Sequence, residues 1–267
     1  MVKTLISFLK IIYRYRYTIW IMAVQEIRAK YAGSVLGGAW SIIHPIVLVF
    51  IYWVVFSVGF KVPPPNNIPF LSWFFCAFVA WQSFSEALMS SSGALLRNRN
   101  LIKKTDFPSQ ILPLISVLSS LINSLILIVL LCIVMWFQNI QFSFFSFQAV
   151  YYLAAISLLS LGVGWFFSAA SVLIRDMSQI LNVILQTLFW ATPIFYRLEM
   201  FPVKLHMFWK LNPVYYLTEG FRNSFLYSQP FWHFPELSFY FWGVTLLTML
   251  TGGWFFKKVK KDLVDNL

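Results

Sequence analysis

Residues 111–136 carry no charged side chain, and the run is longer than the roughly 20 residues an α-helix needs to cross hydrocarbon. A backbone in lipid must satisfy its own hydrogen bonds, so such a run folds as a helix or not at all. Predominantly apolar runs also cover 35–60, 70–94, 147–174, 180–195 and 239–256. The expected fold is therefore an all-α polytopic membrane protein with six transmembrane helices. Composition agrees: 60% of the 267 residues are hydrophobic and 11% charged, where soluble domains carry about a quarter charged residues. Cys76 and Cys132 both fall inside apolar runs and read as packing residues, not as a disulfide or metal site. No cleavable signal peptide is expected at the N-terminus.

Six spans put both termini on one side. Fifteen Lys and Arg residues fall there, among them Lys10, Arg14, Arg28, Lys30, Arg97, Arg99, Lys103, Lys104, Arg175 and Lys257. The other side holds Lys61, Arg197, Lys204, Lys210 and Arg222, which makes five. That asymmetry places both termini in the cytoplasm. It also explains the net charge of +11 through topology and anionic lipid headgroups, with no need for nucleic acid.

The chain divides into a cytoplasmic amphipathic region, 1–33, and a six-span domain, 34–267. In the first, Lys3, Ser7, Lys10 and Arg14 recur on one helical face, and Leu5, Ile6, Phe8, Leu9 and Ile12 cover the other. This is the pattern of a helix lying in the membrane interface, or of a cytosolic helix docked on a partner. Glu26 and Lys30 are spaced as an i,i+4 ion pair. Tyr13, Tyr15, Tyr17 and Trp20 suit the headgroup level. Between spans five and six, residues 197–237 are too apolar for a simple loop, and apolar segments of about a dozen residues are more often re-entrant or interfacial than spanning. One or two short re-entrant helices are expected there, broken near Asn212-Pro213 and again at Gln229-Pro230. Glu219 and Arg222 are spaced to pair at its rim, and Tyr215 and Tyr216 to face an exit path or the sixth span.

No catalytic constellation is present. The three histidines lack ligand spacing, and there is no GxxxxGK[ST] loop, so the chain does not hydrolyse ATP by a P-loop mechanism. Glu86 is alone among the acids inside a predicted span. It is expected to bond the neighbouring serines, or else to line a pore. Asp262 and Asp265, in a basic tail, are a poor metal pair for a glycan-assembly enzyme. Aromatic residues reach 20% of the chain, and Tyr52, Trp53, Phe56, Trp73, Trp81 and Trp190 could offer flat faces to sugar rings.

The segment LLRNRNLIKKTDFP, 95–108, interrupts this apolar chain with four cations. Arg99 and Lys103 are four apart, as are Asn100 and Lys104. Thr105 or Asp106 is expected to cap the next helix, with Pro108 in its first turn. The segment reads either as a short crosswise helix offering Leu101 and Ile102 within a ring of cations, or as an ordinary basic loop.

Four patterns occur in order: Arg28-Ala29-Lys30-Tyr31 with Ser34, Leu36-Gly37, Trp40 and Pro45; Leu101-Ile102-Lys103-Lys104 with Phe107-Pro108 and Leu112-Pro113; Arg175-Asp176 with Gln186, Pro193 and Tyr196; and Asn212-Pro213 with Arg222. Together they resemble the ABC-2 type membrane subunits of ATP-binding-cassette exporters for bacterial surface polysaccharides such as O-antigen, capsule and teichoic acid. His44, before Pro45, departs from that pattern.

The resemblance implies ATP-driven export of a polyprenyl-diphosphate-linked glycan across the bacterial inner membrane. It also implies a homodimer and a separate ATPase subunit that binds ATP and magnesium, with no cofactor in this chain. A coupling helix at about 96–107 would dock on that subunit through Leu101 and Ile102, oriented by Arg97, Arg99, Lys103 and Lys104 and followed by Phe107. Arg175 and Asp176 would make a smaller contact. Asn212, Pro213, Tyr215, Tyr216, Glu219 and Arg222 would belong to an outer gate. An exporter of a drug or small glycolipid, a passive channel and a membrane enzyme of glycan assembly are the alternatives.

Overall fold

The structure, a computed structural model, describes residues 2–61 and 68–260, with side chains from Ser7 onward. Every regular element in it is helical. Asn66, Asp262 and Asp265 lie outside the described residues.

The N-terminal helix α1 covers Val2–Lys30. Its face at Phe8, Ile11, Ile12, Tyr15, Ile19, Met22 and Ala23 follows a helical spacing and packs on the body of the protein, while Leu9, Tyr13, Tyr17 and Trp20 stay exposed. α2 is Trp40–Trp53, extended by a wider π turn over Val54–Gly59. α3 is Phe70–Ser92, and the basic insert follows as two short helices, α4 (Ala94–Arg97) and α5 (Arg99–Lys104). α6 covers Leu112–Phe137, α7 Ala149–Leu173 and α8 Met177–Ala191. Two short pieces, α9 (His206–Lys210) and α10 (Pro213–Arg222), precede α11, Pro235–Val259.

Helices thus lie over all six predicted runs. Among the described residues, four helical stretches are long and apolar enough to cross a membrane: Gly37–Gly59, Ser109–Phe137, Phe144–Leu173 and Pro235–Val259. α3 has the length, at 23 residues, but Gln82, Glu86 and its serines lower its hydropathy. α8 is short, at 15 residues.

α3 is the axis of the bundle. It is apolar nearly all round between Phe70 and Trp81, and helices of that kind belong inside. It packs against α6, α7, α8 and α10. Cys76 is fully buried in it and Cys132 half-buried on α6, both free, as packing residues should be. Between apolar helices in lipid the hydrophobic drive is weak, so close contact depends on small residues. α7 and α11 meet in this way. A Cβ at Gly252 would lie 2.0 Å from the Gly162 carbonyl oxygen, and one at Gly162 would lie 2.7 Å from the Met249 nitrogen. Only hydrogen fits at either position.

The start of α6 differs from expectation. Thr105 ends α5, its hydroxyl donating to the Leu101 carbonyl at 2.7 Å, and Pro108 precedes a single 3₁₀ turn at Ser109–Ile111. The first-turn proline of α6 is Pro113. Both prolines lack an N–H, but Pro113 is the one set where that donor has no partner to lose. At the far end, Asn212 caps α10 as the Asn-Pro pair implied. Its Oδ1 accepts from the Val214 N–H at 3.0 Å and its amide donates to Thr192 Oγ1 at 2.8 Å. α10 continues as a π turn, Asn223–Tyr227, and stops at Ser228, whose φ of 52° is left-handed. The expected break at Gln229-Pro230 falls right after it.

Candidate functional site

A cavity of about 590 Å³ opens between five helices, in the half of the protein nearer the basic insert. Lys30 and Tyr31 border it at the end of α1, and Trp40, His44, Leu48 and Tyr52 along one face of α2. α3 contributes Phe78, Trp81, Gln82, Ser85 and Glu86, α6 Asn123, and α8 Asn182, Gln186 and Phe189. The wall is thus built from aromatic faces alternating with side-chain amides.

At its floor Lys30 Nζ contacts Glu86 Oε1 at 2.6 Å, and the Asn123 amide donates to the same carboxylate oxygen at 2.5 Å. Glu86 therefore bonds a cation from α1 and an amide from α6, not the serines beside it. A helical serine donates more readily to the carbonyl one turn back, as Ser85 does to Gln82 at 3.3 Å. The expected Glu26–Lys30 pair is absent for the same reason: each finds a partner across the fold.

Glu26 is held by the insert. Arg97 Nη2 lies 2.6 Å from Glu26 Oε1 and donates to the Ser90 carbonyl at 2.5 Å and to Ser116 Oγ at 3.1 Å. Ser116 Oγ is also within 3.0 Å of the Glu26 carboxylate. One acid and one base, a turn apart on α1, thus meet a base and an acid on the α3–α4 unit.

The insert itself is turned inward. Ile102 is buried and Leu101 half-buried, both packed with Ala94, Leu95, Ile111 and α1. The expected pair of offered apolar side chains is therefore not present. Two hydrophobic residues in a short helix gain more from the body beneath them than from water. Phe107 meets Tyr15 edge-on, with ring centroids 5.7 Å apart. What the insert exposes is Leu96, Arg97, Arg99, Asn100, Lys103, Lys104, Thr105 and Asp106, and of these Arg97 is tied back to Glu26. Arg175 and Asp176 are exposed in the turn between α7 and α8.

The far end is anchored on Arg222. Its side chain is 1% exposed, not at an exposed rim, and its guanidinium lies over the Trp73 ring. It donates to the Ile194 carbonyl at 2.9 Å and the Trp73 carbonyl at 3.3 Å, and it pairs with Glu219. Tyr216 packs against the sixth predicted span, its ring stacked on Phe241 with centroids 4.8 Å apart. Its hydroxyl shares a hydrogen bond of 2.9 Å with Tyr151 and accepts one of 3.1 Å from Ser238. Burial pushes the Tyr216 and Tyr215 phenols well above the usual range, so both stay protonated.

Of the aromatic set read from the sequence, Tyr52 and Trp81 line the cavity, together with Glu86. Trp73 serves Arg222, Phe56 is stacked on Phe195 at 4.6 Å, and Trp53 and Trp190 lie elsewhere on α2 and α8. Gln82 and Asn182 carry no reading from the sequence, and His44 only that of a departure from the family pattern. A signal existed: Gln179, Asn182 and Gln186 fall at i, i+3 and i+7 of an apolar helix, and all three are exposed.

The sequence profile described as "ABC-2 type transporter" matches residues 17–226. The chain belongs to the ABC-2 type transporter family. An O-antigen export system permease protein, RfbA, of Klebsiella pneumoniae is 25% identical to this ABC-2 chain over 248 residues, covering 92% of it and 93% of the relative. The protein of the same description from Myxococcus xanthus is 27% identical, covering 83% and 85%. A polysialic acid transport protein, KpsM, of Escherichia coli is 23% identical, covering 78% and 80%. The ABC-2 match spans α2 to α10, including the cavity, the insert and the Arg222 anchor.

Proposed function

We propose that this chain is the permease subunit of an ATP-driven exporter that moves a lipid-linked polysaccharide out of the bacterial cytoplasm across the inner membrane. The observation that carries this reading is the likeness, over 92% of the chain, to a protein named as an O-antigen export permease. The cavity supports it: rings stack on sugar faces, and amides both donate to and accept from hydroxyl groups.

Six helices span the membrane, with α3 and α8 joining the four more apolar ones. Both termini and the basic insert face the cytoplasm. Two copies enclose the path, with the exposed amide stripe of α8 towards it; polar side chains facing lipid would be costly, and facing a wet path they are not. The insert and the Arg175–Asp176 turn receive a separate ATPase subunit that binds ATP and magnesium. The segment 197–237 serves as the outer gate.

Deleting the gene should remove a surface glycan and leave its lipid-linked form inside the cell, with complementation restoring export. An unchanged surface glycan profile would overturn the reading. Orientation is read by single-cysteine labelling in intact cells: Lys103 and Lys258 should be protected from an impermeant reagent and Lys204 labelled.

A further inference from the structure

Resting on that export reading, we infer that the cavity takes an uncharged sugar unit and discriminates against acidic ones. Among the described residues, Lys30 and Glu86 are the lysine and the carboxylate of its lining, and they pair with each other. Glu86 is held by Lys30 at 2.6 Å and by Asn123 at 2.5 Å, so Lys30 has no free charge to offer. Around that pair the described lining offers dipoles and ring faces: Gln82, Asn182 and Gln186, with Tyr52 and Trp81.

An uncharged sugar suits such a wall. Each hydroxyl finds an amide that can donate or accept, and the apolar face of the ring finds an indole or a phenol. A carboxylate on the sugar has two choices. It can enter unpaired, and a charge taken from water without a partner is strongly disfavoured. Or it can take Lys30 from Glu86, which leaves Glu86 as the uncompensated charge in its place. Either way an acid is refused by the ion pair, not by size, since 590 Å³ accommodates both.

Glu86 is then the residue that determines selectivity. Glu86→Gln keeps the shape and an acceptor for Asn123 but releases the Lys30 ammonium. Gln186→Lys adds a cation from the opposite wall and leaves the Lys30–Glu86 pair intact, so the two variants test one idea by separate routes.

The experiment is calorimetric binding to the full-length protein in lipid nanodiscs at neutral pH. The probes are a neutral galactose hexamer and a sialic acid hexamer of equal length. The unaltered protein should bind the neutral hexamer at least about tenfold more tightly, and in each variant the ratio of acidic to neutral binding should rise at least about tenfold. Equal or tighter binding of the acidic hexamer by the unaltered protein would overturn the inference. So would no binding of either probe, or no rise in the acidic-to-neutral ratio in both variants. The export reading fails separately: if deletion abolishes an acidic surface polymer, export stands and neutrality falls. If deletion alters no surface glycan, export falls whatever the hexamers do.

Discussion

The guanidinium carbon of Arg222 sits 3.6 Å from the centroid of the Trp73 ring, although 149 positions separate the two residues. That contact joins α10 to the N-terminal end of α3, and the bond to the Ile194 carbonyl ties in the chain after α8. Three segments therefore depend on one planar cation.

Replacing Arg222 should damage the fold before it damages transport. Arg222→Ala leaves two buried carbonyls and Glu219 without their donor, a loss of about 3 kcal/mol. Arg222→Lys keeps the charge but cannot stack flat and reach three acceptors at once, so it should restore little. Thermal challenge followed by size-exclusion chromatography reads both. Wild-type stability in the lysine variant would mean that charge alone suffices.

The inward turn of the insert changes which residue tests docking. Ile102→Asp places a carboxylate in a packed cluster and should lower the yield of folded protein, whether or not an ATPase docks there. Leu96→Asp alters an exposed side chain and should leave thermal stability unchanged while reducing co-purification of the ATPase subunit several-fold. Full co-purification with Leu96→Asp would remove the exposed edge of the insert from the docking surface.

Arg97 and Arg99 should also separate. Arg97 reaches Glu26, Ser90 and Ser116, so Arg97→Ala frees the last turns of α1 and should speed amide exchange there. Its side chain is partly exposed, which limits the stability loss to about 1 kcal/mol. Arg99 is exposed, and Arg99→Ala should leave exchange in α1 untouched while weakening attraction to anionic headgroups by about 1 kcal/mol. Identical exchange profiles in the two variants would contradict this division.

Gly252→Ala adds one methyl where the Gly162 carbonyl already stands 2.0 Å away. Helix backbones cannot yield as a side chain does, so α7 and α11 must part, at a cost of about 1–3 kcal/mol. Gly243→Ala, with open space around it on the same helix, is the matched control and should be neutral. Equal stability of the two variants would show that the close approach is dispensable.

The runs at 111–136 and 147–174 were legible because lipid demands length and apolarity, and both are one-dimensional properties. The residue patterns that resemble ABC-2 permeases were legible too, since motif order survives without coordinates. Partner choice was not. Sequence offers Glu26 its nearest cation one turn away in Lys30, whereas the fold brings Arg97 from 71 positions downstream. Arg222 was placed at a rim because an arginine is seldom fully buried, and nothing local reveals a ring 149 positions upstream. The cavity was partly visible as the amide stripe on α8, but its opposite wall, with His44 and Gln82, exists only once α2 and α3 stand beside that helix.

The attachment of α1 also has a consequence for biosynthesis. Glu26 leaves the ribosome 90 positions before Ser116, the last partner that anchors it. At about 5–20 residues per second, roughly 5–20 s pass before that anchor exists. For the first 71 of those positions α1 has neither Arg97 nor Ser116, and its Leu9, Tyr13, Tyr17 and Trp20 would suit a wait at the bilayer surface. A translational pause while 97–116 are being made lengthens that wait, and one placed after α6 does not.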